Sequence, residues 1–127
     1  MLKIKLNHHL SIPIYYQIVE QIKRNIAMDI IKKGEKLPSV RELALHLKIN
    51  PNTVAKAYKI LIDENICESK PKKGIFVTKK GVDKSDIMMI SNKLEKILIE
   101  AKSKNIEENN IIEIFYKILN KYYKINE

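Results

Sequence analysis

LPSVRELALHLKINPNTVAKAY, residues 37–58, contains two helix starts in close succession. Ser39 can cap a helix, and Glu42 three residues later completes a capping box. Asn50 can cap a second helix, and Pro51 suits the first position inside it. Apolar residues at helical spacing follow each start: Val40, Leu43, Ala44 and Leu47, and then Val54, Ala57, Tyr58 and Leu61. The stretch therefore predicts two short helices joined by a tight turn.

Upstream of this stretch, the sequence predicts one longer amphipathic helix. Pro13 suits a first helical position, and isoleucines recur at every fourth residue after it, at Ile14, Ile18, Ile22 and Ile26. We expect the helix to end near residues 28–31, because a polar turn at residues 32–35 follows.

Downstream, the sequence predicts a basic β-hairpin. Residues 66–69 and 75–78 have the composition of short strands, and the turn between them contains Lys70, Lys72, Lys73 and Gly74. Two helices joined by a tight turn and followed by a hairpin form a winged helix-turn-helix, which is a DNA-reading module. The predicted fold class is thus mainly α with a small β-hairpin wing.

The positive charge is concentrated in the first part of the chain. The whole sequence has 24 Lys and Arg residues against 15 Asp and Glu residues, a net charge of +9. Residues 1–79 contain 15 basic and 7 acidic side chains, whereas residues 80–127 contain 9 and 8. Such a field attracts polyanions, so nucleic acid or an anionic membrane is the expected class of partner.

The predicted reading surface is the polar face of the helix that begins near Pro51. In the major groove, Asn52 can donate to and accept from a base edge, Thr53 can contact a thymine methyl group or a phosphate, and Lys56 can reach guanine or the backbone. The wing lysines Lys70, Lys72 and Lys73 are expected to contact phosphate. The outward side chains of the helix and its cap are Asn50, Asn52, Thr53, Lys56 and Lys59.

Residues 80–127 are predicted to form a helical dimerisation segment after the DNA-binding domain at residues 1–79. Two apolar rows at steps of three and four residues predict two helices: Ile87, Ile90, Leu94 and Ile97, and then Ile111, Phe115, Ile118 and Tyr122. A hairpin of fewer than about 50 residues does not bury two such rows alone, so we expect a second copy to cover them. The alternative is that both rows fold back on the first domain.

Residues 37–58 resemble the signature of GntR-family transcriptional regulators. The resemblance extends from Pro13, through Tyr15 and Gln17, to the wing sequence KGIFV at residues 73–77. It implies a winged helix-turn-helix in which Arg41, Asn52, Thr53 and Lys56 lie at the DNA surface and Gly74 belongs to the wing.

Two positions depart from the family pattern, and the tail identifies a branch. The family wing usually reads Gly-x-Gly where this chain has Lys72, Lys73 and Gly74, and Asn65 stands at a customary glycine. The short helical tail resembles that of the YtrA-like branch. This resemblance implies a repressor of operons for membrane transporters, often including the regulator's own gene.

Other function classes lack the necessary residues. His8, His9 and His46 have no suitably spaced carboxylate or cysteine cluster, so neither an enzyme nor a metal site is expected, and no cofactor is predicted. Cys67 is the single cysteine and is expected to be a buried apolar residue. No apolar stretch reaches the roughly 18 residues of a membrane span, which predicts a cytoplasmic protein. An architectural protein that binds nucleic acid without sequence preference is the alternative function.

Overall fold

The computed structural model describes residues 2–123, so residue 1 and residues 124–127 of the predicted domains lie outside it. Five helices and one antiparallel two-stranded sheet confirm the predicted fold class. By contacts the chain separates into two compact units, residues 1–80 and 81–127, which we call the N-terminal and C-terminal units. The elements are α1 (Ile14–Ala27), α2 (Val40–Leu47), α3 (Pro51–Asp63), β1 (Cys67–Lys70), β2 (Gly74–Val77), α4 (Lys84–Ser103) and α5 (Glu108–Tyr123).

The predicted starts of α2 and α3 are confirmed by their hydrogen bonds. The Ser39 hydroxyl oxygen accepts from the Glu42 backbone N–H at 3.1 Å, and the Glu42 carboxylate accepts from the Ser39 N–H at 2.9 Å. At α3, the Asn50 side-chain oxygen accepts from the Asn52 N–H at 2.8 Å. Between the two helices Lys48 takes a left-handed conformation with φ of 58°, which ends α2 and turns the chain.

Two predicted boundaries were wrong by one or a few residues. Pro13 precedes α1 with an extended ψ of 146° and is its N-cap residue, so it is not the first helical residue. The strands pair Lys70 with Gly74, so the wing turn contains only residues 71–73. Local composition predicts Lys70 and Gly74 in the turn, because lysine and glycine are uncommon in strands.

The core of the N-terminal unit lies where α1 and α2 pack against α3 and where β1 joins them. Tyr58 is the largest fully buried side chain, and its hydroxyl group donates to the Pro38 carbonyl at 2.7 Å. This bond ties α3 to the residues that lead into α2. The buried core residues are Ile18, Val19, Ile22, Ile31, Leu37, Leu43, Ala44, Val54, Ala57, Tyr58, Leu61, Cys67 and Val77.

An extended segment before α1 is held by a row of amide side chains that the sequence analysis missed. The backbone N–H of Lys3 donates to the Asn25 side-chain oxygen at 2.8 Å, and the Asn25 side-chain nitrogen donates to the Lys3 carbonyl at 3.0 Å. Gln21 binds the backbone of Lys5 in the same way, at 2.6 and 2.7 Å. Gln17 repeats the pattern at Asn7. Every second residue of an extended segment points to the same side, and residues four apart lie on the same face of a helix. Lys3, Lys5 and Asn7 can therefore each pair with one amide side chain on the same face of α1.

The segment before α2 forms a further edge of the wing sheet. The Leu37 N–H donates to the Ile75 carbonyl, and the Val77 N–H donates to the Glu35 carbonyl, both at 2.8 Å. A bridge joins Lys36 to Phe76. The wing is therefore fixed to the start of α2, and the predicted polar turn at residues 32–35 continues directly into paired backbone.

The C-terminal unit contains two helices with little core of their own. Of its described residues only Ala101 is a buried hydrophobic residue, whereas Ile87 is 62% exposed and Phe115 46% exposed. The closely packed pairs of elements in the described chain all belong to the N-terminal unit, and α4 with α5 is not among them. The two helices of the expected hairpin, α4 and α5, therefore come together near the residues that connect them and do not pack against each other along their length.

The row on α5 is wider than predicted, because a second apolar row lies beside the first. Its members also follow steps of four, three and four residues, which places them about 100° further round the helix. They are Ile112, Tyr116, Leu119 and Tyr123.

Candidate nucleic-acid interface

The start of α3 presents polar side chains away from the core. Val54 and Ala57 are fully buried beneath it, whereas Asn52 and Lys56 are exposed and Thr53 is half-buried. The helix thus separates its two faces as the sequence predicts. Exposed polar side chains in the first turns of the second helix are suited to read base edges in a major groove.

Arg41 is exposed in the first turn of α2 and lines a surface pocket together with Pro51 at the start of α3. The capping box in this turn stabilises the charged form of the Glu42 carboxylate. The Ser39 backbone N–H and hydroxyl group both hydrogen-bond to this carboxylate and lower its pKa below the usual value. The first turn of α2 is therefore a fixed support for the Arg41 side chain.

The predicted side chains of α3 do not all have the same freedom. The Asn50 oxygen is occupied by capping, which leaves its NH2 group as the donor. Lys59 forms an ion pair with Asp63 at 3.2 Å, one turn further along the helix. The Lys56 ammonium nitrogen lies 4.0 Å from the centroid of the Tyr15 ring. Only some of the predicted cations are therefore free of an acidic neighbour.

At both positions that depart from the family glycines, the backbone takes a positive φ although the residue carries a Cβ atom. Lys72, at the usual first glycine, takes φ of 65°, and Asn65 takes φ of 61°. Both values lie in the left-handed region that glycine adopts more readily than other residues. Gly74 itself has φ of 123°, so the second wing glycine is required by its backbone. The turn closes with the Lys73 N–H donating to the Lys70 carbonyl at 2.9 Å.

Four lysines meet at the wing, although the sequence analysis named three of them. Lys70 lies 4.7 Å from the centroid of the Phe76 ring and 3.9 Å from the Glu68 carboxylate, so its charge is partly balanced. Lys72 and Lys73 are exposed in the turn. Lys36 is the missed one, because it pairs with Phe76 and its side chain passes beside Gly74. Strand pairing over a long separation leaves little local signal, which is why it was missed.

Catalytic and metal chemistry have little support in the described part of the chain. Within residues 2–123, no three His, Cys, Asp or Glu side chains are grouped so that they could hold a metal ion. Cys67 is buried, and burial raises the pKa of its thiol to about 11, so it stays protonated at neutral pH. No helix formed by these residues is long and apolar enough to span a membrane.

Comparison with known proteins establishes the family. Residues 14–77 match the family described as bacterial regulatory proteins, gntR family. This chain belongs to the GntR family. The matched range runs from the first residue of α1 to the last residue of β2, so it covers the helix-turn-helix and the wing. The protein is thus a transcription regulator with a DNA-binding domain, and not an enzyme.

Relatives of the whole chain are also known. The chain is 39% identical over 107 residues to the HTH-type transcriptional repressor YtrA of Bacillus subtilis, and the match covers 82% of both chains. It is similar to the structure of YtrA from Sulfolobus acidocaldarius, a GntR-family transcription factor, with 35% identity and a TM-score of 0.63. That match covers 98% of this chain and 100% of the other. The GntR identification and the YtrA-like branch are both confirmed.

A solved complex shows DNA bound to a similar domain. The DNA-binding domain of AraR in complex with operator ORR3 is 27% identical, with a TM-score of 0.52, and covers 58% of this chain and 89% of that one. That similar domain therefore binds operator DNA.

Proposed function

We propose that this GntR protein is a repressor that binds a palindromic operator as a homodimer. The observation that carries the proposal is the contrast between an exposed polar start of α3 and an exposed apolar C-terminal unit in the same chain. The polar start of α3 supplies contacts to DNA. The C-terminal unit supplies an apolar surface whose exposure to water is unfavourable. The similarity to a protein named as a repressor supports repression.

On the DNA side, we assign base reading to Asn52 and Thr53 and support at phosphate to Arg41 and Lys56. The wing lysines Lys70, Lys72 and Lys73 are proposed to contact phosphate. Lys36 is added to them because it pairs with β2 and its side chain passes beside Gly74 at the wing turn. Asn50 acts through its cap, and the ion pair with Asp63 makes Lys59 the weakest of the proposed contacts. Gly74 serves by giving the wing its turn.

The proposed dimer is formed by α4 and α5 of two copies. Side chains of the predicted rows are exposed along both helices, among them Ile90, Leu94, Ile97 and Ile118. The double row on α5 gives it room to contact two helices at once, because rows about 100° apart face different neighbours in a bundle. A second copy offers the same rows, so a twofold arrangement would cover both.

Twofold pairing gives the tail a part in DNA recognition. Two α3 helices held about 34 Å apart would enter successive major grooves on one face of the duplex. Repression then follows from occupancy, since a bound dimer blocks polymerase access in the cytoplasm. An operon for a membrane transporter, together with the protein's own gene, is the target that the YtrA-like branch suggests.

Footprinting on the promoter upstream of its own gene tests the proposal. We expect protection of two half-sites about one helical turn apart, and binding to that site at least 1,000-fold tighter than to random DNA at the same salt concentration. The variant with Arg41, Asn52, Thr53 and Lys56 all replaced by alanine should lose this preference. Equal affinity for both DNAs would instead support the architectural alternative.

A further inference from the structure

One aromatic ring lies directly beneath a cation of the proposed DNA surface. The Lys56 ammonium nitrogen is 4.0 Å from the centroid of the Tyr15 ring, well inside the about 6 Å over which a ring face attracts a cation. Tyr15 is in the first turn of α1, and Lys56 is on the exposed face of α3, two helices that pack together. The ring itself is half-buried against the hydrophobic core, so its position is fixed by the fold.

The charge of Lys56 is not balanced by an acid. Within residues 2–123, no carboxylate lies within 4.0 Å of its ammonium nitrogen, whereas Lys59 on the same helix is paired with Asp63. A ring attracts an ammonium group without neutralising it. Lys56 therefore keeps its full charge for a ligand, while one of the most flexible side chains in proteins is held in one place.

We infer that Tyr15 is a positioning residue that holds Lys56 for a phosphate of the DNA backbone and away from the base edges. This inference rests on the proposed function of α3. A lysine that reads guanine must extend from the helix into the groove, whereas Lys56 lies sideways on a ring that belongs to α1. The phosphates border the groove, so an ammonium group held beside the helix meets the backbone first.

The test measures binding to a fluorescently labelled duplex of random sequence over a range of salt concentrations, because a phosphate contact does not depend on sequence. Lys56→Ala should weaken binding and lower the slope of log affinity against log salt by about 0.9. Tyr15→Leu should weaken binding by about two- to fivefold, because the cation is no longer held. Tyr15→Phe keeps the ring and should retain the parent affinity.

Two controls separate positioning from a general effect on the fold. Tyr16→Leu changes the neighbouring tyrosine, whose hydroxyl group contacts Glu20 and whose ring does not lie under Lys56, and it should bind as the parent does. In a Lys56→Ala background, Tyr15→Leu should have no further effect on DNA affinity, since a positioning residue acts only through the group it positions. Thermal unfolding of each variant shows that it remains folded at the temperature of the assay.

The inference and the proposed function fail in different ways. If Lys56→Ala leaves affinity and salt slope unchanged on both the random duplex and the promoter site, Lys56 does not contact DNA. That result overturns the inference and the assignment of Lys56 to phosphate, while footprinting still tests the repressor itself. If Lys56→Ala has the expected effect but Tyr15→Leu binds like the parent, or weakens binding equally in the Lys56→Ala background, the role of Tyr15 alone is overturned. A Lys56→Ala variant that loses affinity only for the footprinted promoter site would show a base contact and would also overturn it.

Discussion

The two units of this chain carry similar apolar periodicity and differ in what covers it. In the N-terminal unit, Ile18 and Ile22 of α1 are completely buried, and thirteen hydrophobic residues form one core. In the C-terminal unit, Leu94 is 40% exposed and Ile97 is 61% exposed, although both lie in a row as regular as that of α1. Periodicity thus predicts which face of a helix is apolar. It does not predict whether the same chain also contains the surface that buries this face.

The proposed dimer implies that the two units are stabilised in different ways. A core that is complete within one chain stabilises it at any protein concentration. In the proposed dimer a second copy covers the exposed rows, so their contribution to stability rises with protein concentration. Each prediction below changes one side of this contrast.

The largest expected effect is on DNA affinity after removal of the C-terminal unit. Truncation after Lys80 should leave a folded monomer that binds the operator roughly 100-fold or more weakly, because two linked half-site contacts become one. Fluorescence anisotropy with the promoter duplex measures this loss, and circular dichroism checks the fold. A truncated chain that keeps the parent affinity would show that the C-terminal unit has no role in DNA recognition.

The next effect separates the two kinds of apolar residue by unfolding. Leu61→Ala opens a cavity in the N-terminal core and should lower the free energy of unfolding of this unit by about 2–5 kcal/mol, whatever the protein concentration. Ile97→Ala should instead lower stability by an amount that depends on protein concentration. Urea titrations of both variants over a wide range of concentrations make the comparison. The same concentration dependence for both variants would contradict the proposed difference between the two units.

A smaller effect is expected from the amide row that holds residues 2–7. Asn25 is 2% exposed and makes hydrogen bonds to the backbone of Lys3 and Gln21. Asn25→Leu keeps a branched side chain with the same number of heavy atoms but removes these bonds, and it should lower the free energy of unfolding by about 1–3 kcal/mol. Arg24→Ala, at the exposed neighbouring position, is the control and should change it by less than about 0.5 kcal/mol. Hydrogen exchange of the Lys3 amide would show whether the segment is released.

The smallest effect concerns the wing turn. Lys72 has a left-handed φ, which costs a residue with a Cβ atom about 1 kcal/mol relative to glycine. Lys72→Gly and Lys72→Ala remove the same charge, so they should weaken DNA binding alike, but the glycine variant should be more stable by about that amount. Thermal unfolding of the two variants decides the point. Equal stability would mean that the turn adapts to either residue.

Local signals in the sequence predicted most of the N-terminal unit. Ser39 with Glu42 and Asn50 with Pro51 each place a helix start within a few residues, so α2 and α3 follow from neighbouring side chains alone. Their spacing also separates the buried Val54 and Ala57 from the exposed Asn52 and Lys56. The identity of the polar face of α3 was therefore available from the sequence.

Features that join distant parts of the chain could not be predicted in this way. Lys36 beside the wing, the ring of Tyr15 under Lys56, and the pairing of Lys3 with Asn25 each depend on how elements pack. Gln17, Gln21 and Asn25 do recur every four residues, so this amide row, like the second apolar row of α5, was a local signal left unused. Polar residues at helical spacing on a buried face are a reason to look for a backbone partner.

We propose that the exposed rows of the C-terminal unit hold two DNA-binding units together. Sedimentation of the full chain beside the double variant Leu94→Asp, Phe115→Asp tests it most directly, because both substitutions place a charge in the rows and leave the N-terminal unit untouched. We predict that the parent sediments with the mass of two chains and the variant with that of one, with the N-terminal unit still folded. A variant that still sediments as a dimer at the same protein concentration, or a parent that is a monomer, would contradict the claim.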